Sequence, residues 1–293
     1  MAADRADGKQ PGRHWPTAIP SIDRMGLGRT PGQRGAEILA GLRAELMPSP
    51  ETEALAKTGG RVAAWIFMRL EKSTAALNFV AARLAGITEL VRRAVPPEKE
   101  DVILVDIAAG FSPRGLMLAQ AFPQARVIEV DLPGVVEEKQ VRLRKAKELV
   151  VPPNLSWLAA DLGVTALSDV LEDQRVDVVS AEGLNAYFPP EDITRVAHHI
   201  GYSLVPGGAY ISDIPWQKGM AHAQTATRFF SRQAGDFRGI IEGPEQARTL
   251  MEEAGYSDIE VYHPSALAGQ VGSPTPVLDF SLFIVAHKPK TEV

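Results

Sequence analysis

The stretch from Val102 to Asp131 constrains the fold more than any other part of the chain. Val102-Ile103-Leu104-Val105 is a short, continuous apolar run, as a parallel strand buried on both faces requires. Asp106-Ile107-Ala108-Ala109-Gly110 follows, with small residues where the backbone must come close to something. Ser112 suits a helix N-cap and Pro113 the first helical position, which predicts a helix over 113–122. Arg126 to Asp131 is the next strand. Its terminal carboxylate lies about twenty positions beyond the turn, where it can accept hydrogen bonds from a ribose. The chain is therefore expected to bind an adenosine-containing cofactor.

The glycine pattern narrows the choice. A dinucleotide turn needs three glycines so that a pyrophosphate can sit against backbone N–H groups at the helix start. Here Gly110 stands alone among Ala108, Ala109, Phe111 and Ser112, and Pro113 removes a donor. S-adenosylmethionine carries no phosphate and tolerates such a turn. A nicotinamide dehydrogenase is disfavoured, and an ordinary βα turn with no ligand remains the plain alternative.

Composition excludes several classes. The chain has no cysteine, so disulfides, thiolate catalysis and Cys-based zinc sites are absent. Its net charge of −5 argues against a nucleic-acid partner, which would call for a basic footprint. An apolar fraction of 45% suffices for a large core. No apolar run is expected to reach the ~18 residues of a membrane span, and no secretory h-region opens the chain. The expectation is a cytoplasmic enzyme with a small-molecule acceptor, no membrane or nucleic-acid partner, and an oligomeric state open between monomer and homodimer.

Residues 1–34 are rich in Gly, Pro, Arg and Asp without periodicity and read as a disordered or loosely docked arm, with Trp15 and Ile19 as its packing residues. Residues 35–97 read as a helical cap, with apolar faces at Ile38, Leu39, Leu42 and Leu46, and at Val62, Trp65, Ile66 and Leu70. From 98 to 293 strands and helices alternate. Strands are predicted near 102–107, 126–131, 154–159, 176–181 and 208–214, and helices near 113–122, 134–149, 165–173, 190–204 and 243–254. The last strands, near 257–263 and 278–287, follow each other without a helix and should pair antiparallel. This is an α/β fold: a Rossmann-like class I methyltransferase sheet of seven strands, the last antiparallel, with an N-terminal helical cap. An insert at 215–242 lies just past a strand's carboxyl end, where open α/β sheets bind ligands.

Five segments resemble the leucine carboxyl methyltransferases and related bacterial O-methyltransferases of polyketide pathways. They are Arg83-Leu-Ala-Gly86, Asp106 to Arg114, Glu129 to Lys139, Asp161-Leu162, and Ala181 to Phe188. The resemblance implies a donor site in which Asp106, Ala108 and Gly110 form the cofactor turn. It places Asp131 with Leu132 at the ribose, Asp161 with Leu162 at the adenine, Glu182 near the sulfonium, and Arg83 on the donor carboxylate. One departure is Ala108 where the family usually carries glycine; another is Ser112-Pro113 in place of an aspartate-threonine pair. Arg114, a cation in a helix's first turn, opposes the macrodipole and reads as one half of a structural ion pair.

The acceptor is less legible. Tyr187 follows the fourth strand and is a candidate contact. Trp216, Arg228, Phe229 and Arg232 in the insert combine aromatic and cationic character, suited to an apolar or aromatic acceptor bearing an anion; an amphipathic helix with its aromatics inward is the alternative. His222 is the candidate base and Tyr187 a weaker catalytic candidate. Lack of an evident base favours O-methylation of a carboxylate, which needs none. A phenol, nitrogen or carbon acceptor stays open, as does a rearrangement that uses the cofactor's charge without methyl transfer.

Overall fold

The computed structural model describes residues 30–291. Trp15 and Ile19, and most of the expected arm, lie outside the described residues. Among the described residues four helices come first: α1 (Pro31–Leu46), α2 (Pro50–Leu55), α3 (Thr58–Leu70) and α4 (Thr74–Ala94). The first begins inside the span expected as arm, because Thr30, Pro31 and Gln33 form a complete start signal. The Thr30 side chain accepts from Gln33 N, the Gln33 side chain accepts from Thr30 N, and Pro31 sits where no N–H is needed. Helices α1 and α3 cross at Gly41 and Gly60, where an added Cβ on either would run into the other helix's backbone.

Seven strands follow: β1 (Ile103–Ile107), β2 (Arg126–Asp131), β3 (Leu155–Ala159), β4 (Val176–Ala181), β5 (Leu204–Pro215), β6 (Ser257–Tyr262) and β7 (Ser281–His287). The helices among them are α5 (Arg114–Ala121), α6 (Pro133–Lys145), α7 (Leu167–Val170), α8 (Pro190–Ser203), α9 (Gln217–Ala221), α10 (Gln224–Ala234), α11 (Pro244–Glu253) and α12 (Pro264–Ala268). Strand order is β3-β2-β1-β4-β5-β7-β6, and β7 alone runs antiparallel, to both of its neighbours. Chain order reverses between β1 and β4, the switch point at which open sheets hold ligands. Every residue of β1 and of β4 is buried, as their apolar runs require.

The departures from expectation have local causes. Helix α5 starts one residue late, with Pro113 as its N-cap, while the Ser112 hydroxyl accepts from Arg114 N. Helix α7 is one turn long because Glu172 and Asp173 adopt positive φ. Strand β5 starts early, pairing Leu204 with Val176 before a bulge that passes through Gly207 at φ 79°. The one-turn helix α12 separates β6 from β7, so they are not a simple hairpin. Helix α4 spans 21 residues and is long and apolar enough by length and composition to cross a membrane, contrary to expectation; 61% of its apolar window is buried inside the protein.

The two sheet faces carry separate cores, one against α8 and α11, the other against α4, α5 and α6. A third core joins Ile38 and Leu42 of α1, Ala64 and Phe67 of α3, Val80 of α4 and Ala226 of α10. The cap is thus built from two separated parts of the chain. Phe67 packs on Phe229 and Phe230 at ring separations of 5.0 and 5.4 Å. Arg142 of α6 lies over the Phe111 ring at 3.7 Å, pairs with Glu37 of α1 and donates to Leu55 O at 2.5 Å, tying cap to sheet.

Candidate active site

The β1–α5 turn is held by the end of β2. Asp131 Oδ2 accepts from Gly110 N at 2.6 Å, and its Oδ1 accepts from Leu132 N at 2.7 Å. Ala108 and Gly110 have φ of 50° and 51°. Glycine adopts this left-handed region freely and alanine does not, so Ala108 stores about 1 kcal/mol of strain. Withdrawal from water raises the Asp131 carboxyl, against the pull of the Gly110 and Leu132 amides.

Beside the turn lies a buried ionic cluster drawn from six elements of sequence. Arg43 comes from α1, Arg83 from α4 and Arg114 from α5; Asp106 comes from β1, Glu182 follows β4 and Asp213 lies on β5. Arg114 is fully buried and reaches Asp106 at 3.1 Å and Glu182 directly. Arg83 meets Asp213 at 2.7 Å and Glu182 at 3.6 Å, and Arg43 also pairs with Glu182. Ser180 Oγ donates to Asp106 at 2.6 Å; Gly183 N and Ser281 Oγ donate to Asp213 at 2.8 and 2.9 Å. Burial would raise the Glu182 carboxyl, but the guanidiniums of Arg43, Arg114 and Arg83 outweigh it and hold it at about 2. Arg114 is raised because Asp106 and Glu182 overcome its burial, whereas burial prevails at Arg43 and lowers it.

The cluster's charges match a zwitterion. Three guanidiniums face three carboxylates, so a ligand carrying both an ammonium and a carboxylate leaves the balance unchanged. The buried Nε atoms of Arg43, Arg83 and Arg114 have no hydrogen-bond partner among the described residues. Buried donors without acceptors are costly and point to an absent anion. The methionine end of S-adenosylmethionine has this chemistry. Arg83 and Arg43 would take its carboxylate, Glu182 its ammonium, and Asp131 the ribose.

The remaining expected residues scatter. Strand β3 stops at Ala159, so Asp161 lies beyond its end, exposed, with Oδ1 accepting from Gly163 N at 2.9 Å. Leu162 is half-buried against the core. Glu129 is buried against the start of α5, where Lys139 and the Trp157 indole, each at 2.7 Å, satisfy it. Arg228 and Arg232 are exposed on α10, whose aromatics point into the cap, the alternative that helical amphipathicity offered. Trp216 donates to Asp279 O at 2.7 Å. His222 is exposed and its Nδ1 bonds Lys218 O at 2.7 Å. Tyr187 is half-buried beside Arg83 and Asp213, and burial raises its phenol.

Arg43 and Asp213 were not foreseen. Arg43 stands next to Leu42 in an amphipathic helix and resembles any surface arginine in sequence, and Asp213 sits in a strand with no neighbouring motif.

A seven-stranded sheet with a single antiparallel strand, a glycine turn tied to a strand-end aspartate and a zwitterion-ready cluster define an S-adenosylmethionine-dependent methyltransferase. Residues 44–201, more than half of the chain, match the family model of leucine carboxyl methyltransferase, and the chain belongs to that family. The match extends beyond the five motifs to helices α2–α4 and the end of α1. No curated protein matches in sequence. The fold is shared with a protein from Nostoc punctiforme PCC 73102 described as an O-methyltransferase, with 17% identity, TM-score 0.53, and coverage of 85% of this chain and 72% of that one. It is shared with magnesium protoporphyrin IX methyltransferase of Synechocystis PCC 6803 bearing S-adenosylhomocysteine, at 15% identity, TM-score 0.52, and 79% and 94% coverage. The CurJ carbon methyltransferase is also similar, at 14% identity, TM-score 0.55, and 88% and 66% coverage.

Proposed function

We propose that this methyltransferase acts on a small-molecule carboxylic acid and forms a methyl ester. The observation that supports this is that each carboxylate of the cluster is paired with an arginine. Glu182 is held at about 2 and cannot take a proton near neutrality. Asp106 and Asp213 are each engaged by an arginine. None of the five described histidines bonds to a member of the cluster. A carboxylate acceptor is already ionised at neutral pH and needs no base.

Bound S-adenosylmethionine supplies an electrophilic methyl on positively charged sulfur. The chain's work is to hold donor and acceptor in line and to exclude water. Arg43, Arg83, Glu182 and Asp131 fix the donor, and α1 covers it: an added Cβ at Gly110 would lie 3.2 Å from the Ala36 methyl.

The test is product analysis by mass spectrometry after incubation with S-adenosylmethionine and a panel of carboxylic acids, phenols and amines. An ester, released with one equivalent of S-adenosylhomocysteine, is expected. Its rate should be nearly flat from about pH 6 to 9, since a carboxylic acid is ionised throughout. A rate rising through a pKa of roughly 6.5–7, or a methylated nitrogen or carbon, would overturn the reading.

A further inference from the structure

The exposed large apolar side chains of the described residues gather on one helix. Val62, Trp65, Ile66 and Leu70 of α3 are 53%, 54%, 42% and 55% exposed, at helical spacing along one face. The opposite face packs into the cap through Gly60, Ala64 and Phe67. Elsewhere such residues stand singly: Val150 and Val164 in the loops on either side of β3, and Tyr202 near the end of α8. Single exposed apolar residues are ordinary, whereas a contiguous stripe marks an interaction site.

The charge around the stripe has one sign. Neither α3 nor α10 contains an aspartate or glutamate, in a chain that holds 36 acids against 31 lysines and arginines. The two helices are neighbours, joined where Phe67 packs on Phe229 and Phe230. The Arg69 guanidinium lies 4.7 Å over the Trp65 ring, and Lys72 follows the helix, exposed. Arg228 and Arg232 are the exposed cations of α10. None of these four is ion-paired among the described residues, whereas Lys57 and Arg61, at the start of α3, are held by Glu138, Glu45 and Glu53. Glu71, the acid that follows α3, is buried and accepts from Ser73 N.

We propose that this face of the cap docks on an anionic phospholipid surface. Trp65, Ile66 and Leu70 would enter the boundary between headgroups and acyl chains, and Arg69, Lys72, Arg228 and Arg232 would meet the lipid anions. A helix with an apolar face, a tryptophan and basic flanks is suited to lie in that boundary. Charge decides against two other occupants. A second copy related by a two-fold axis would set these cations against themselves. Residues 1–29 carry five lysines and arginines against three aspartates, so the chain's own N-terminal segment has the same sign. Docking of this kind needs no spanning segment, and the net charge of −5 conceals a local surface of opposite sign.

The test is co-sedimentation of the full chain with vesicles of phosphatidylcholine alone or of phosphatidylcholine mixed with phosphatidylglycerol. The wild type should partition onto the mixed vesicles at least about tenfold more strongly, and added salt should weaken that binding. Trp65→Ser combined with Leu70→Ser should cut partitioning at least about tenfold, because the apolar insertion is lost. Arg69→Gln combined with Arg232→Gln should cut it roughly tenfold on the mixed vesicles and leave the neutral ones unaffected. Val164→Ser should change nothing, since that valine lies outside the stripe. All the substituted side chains are exposed, so melting temperatures should stay within a few degrees of wild type. Binding to neither vesicle, equal binding to both, or binding that survives loss of Trp65 and Leu70 overturns the proposal. So does a concentration-dependent dimer in sedimentation velocity that the same pair abolishes, which would give the face to a second copy.

Discussion

The cofactor turn and the aromatic group beside Arg83 are built in opposite ways. The cofactor turn is backbone-led: Gly110 and Asp131, 21 residues apart, are joined by one strand–turn–helix–strand unit and a direct hydrogen bond. The aromatic group beside Arg83 is side-chain-led, and residues 79, 187, 237 and 280 meet only after cap, sheet and insert have packed together. A site of the first kind is written in local spacing and can be read there. The second kind depends on which faces of distant helices come together, and no local pattern encodes that.

The largest expected effect breaks the cofactor turn. Asp131→Ala removes the carboxylate proposed to hold the ribose and also leaves the Gly110 and Leu132 amides without a partner. Charge-assisted hydrogen bonds are each worth roughly 1.5–3 kcal/mol, so affinity for S-adenosylhomocysteine should fall at least about tenfold by calorimetry. The melting temperature should fall with it, because the carboxylate anchors the turn as well as the ligand. Undiminished affinity would place the ribose elsewhere.

Glu182 gives the next effect and a sign to check. Its folded-state carboxyl is depressed to about 2 from an ordinary 4.5, so the stabilisation is present above about pH 4.5 and is lost as pH falls toward 2. That difference is worth about 3 kcal/mol. Urea melts between about pH 2 and 6 should show it in the wild type, and Glu182→Gln should flatten that acid limb. A variant with the wild-type slope would assign the acid sensitivity to another group.

Arg83→Lys tests the ionic cluster beside the turn. The ammonium keeps the charge but loses the planar fork that reaches Asp213 and Glu182 together. Cofactor affinity should fall roughly three- to tenfold, about 1 kcal/mol. Ala108→Gly should act in the other direction: relief of a left-handed alanine, offset by the entropy of a freer unfolded chain, leaves a gain below about 1 kcal/mol in a thermal melt. The smallest effect belongs to His222→Ala. Its imidazole is exposed and tied to Lys218 O, so ester formation should proceed at the wild-type rate at every pH. Abolished turnover would make it the base and replace the carboxylate acceptor by a phenol or alcohol.

Legibility followed the same division. The seven strands lay within a few residues of the spans read from the sequence, and the central ones are continuous apolar runs because a sheet covered on both faces leaves little freedom. Arg83, Asp106 and Glu182 were found through motifs, and the structure brings them into one cluster. Arg43 was not found, since a buried arginine and a surface one look alike until their partners are known. Arg228 and Arg232 attracted attention by composition, yet α10 turns its aromatic face inward and leaves them in solvent. The start of α1 was readable in Thr30-Pro31-Gly32-Gln33, but the glycine- and arginine-rich sequence before it masked the capping box.

Helix α1 lies across the cofactor turn, with Ala36 against Gly110, Gln33 near Gly134, and Arg43 locked to Glu182. The same sixteen residues carry Ile38 and Leu42 into the third core and cross α3 at Gly41. The cap's interior and the cofactor turn therefore share one rigid element, and a substitution in that core reaches the turn without touching it.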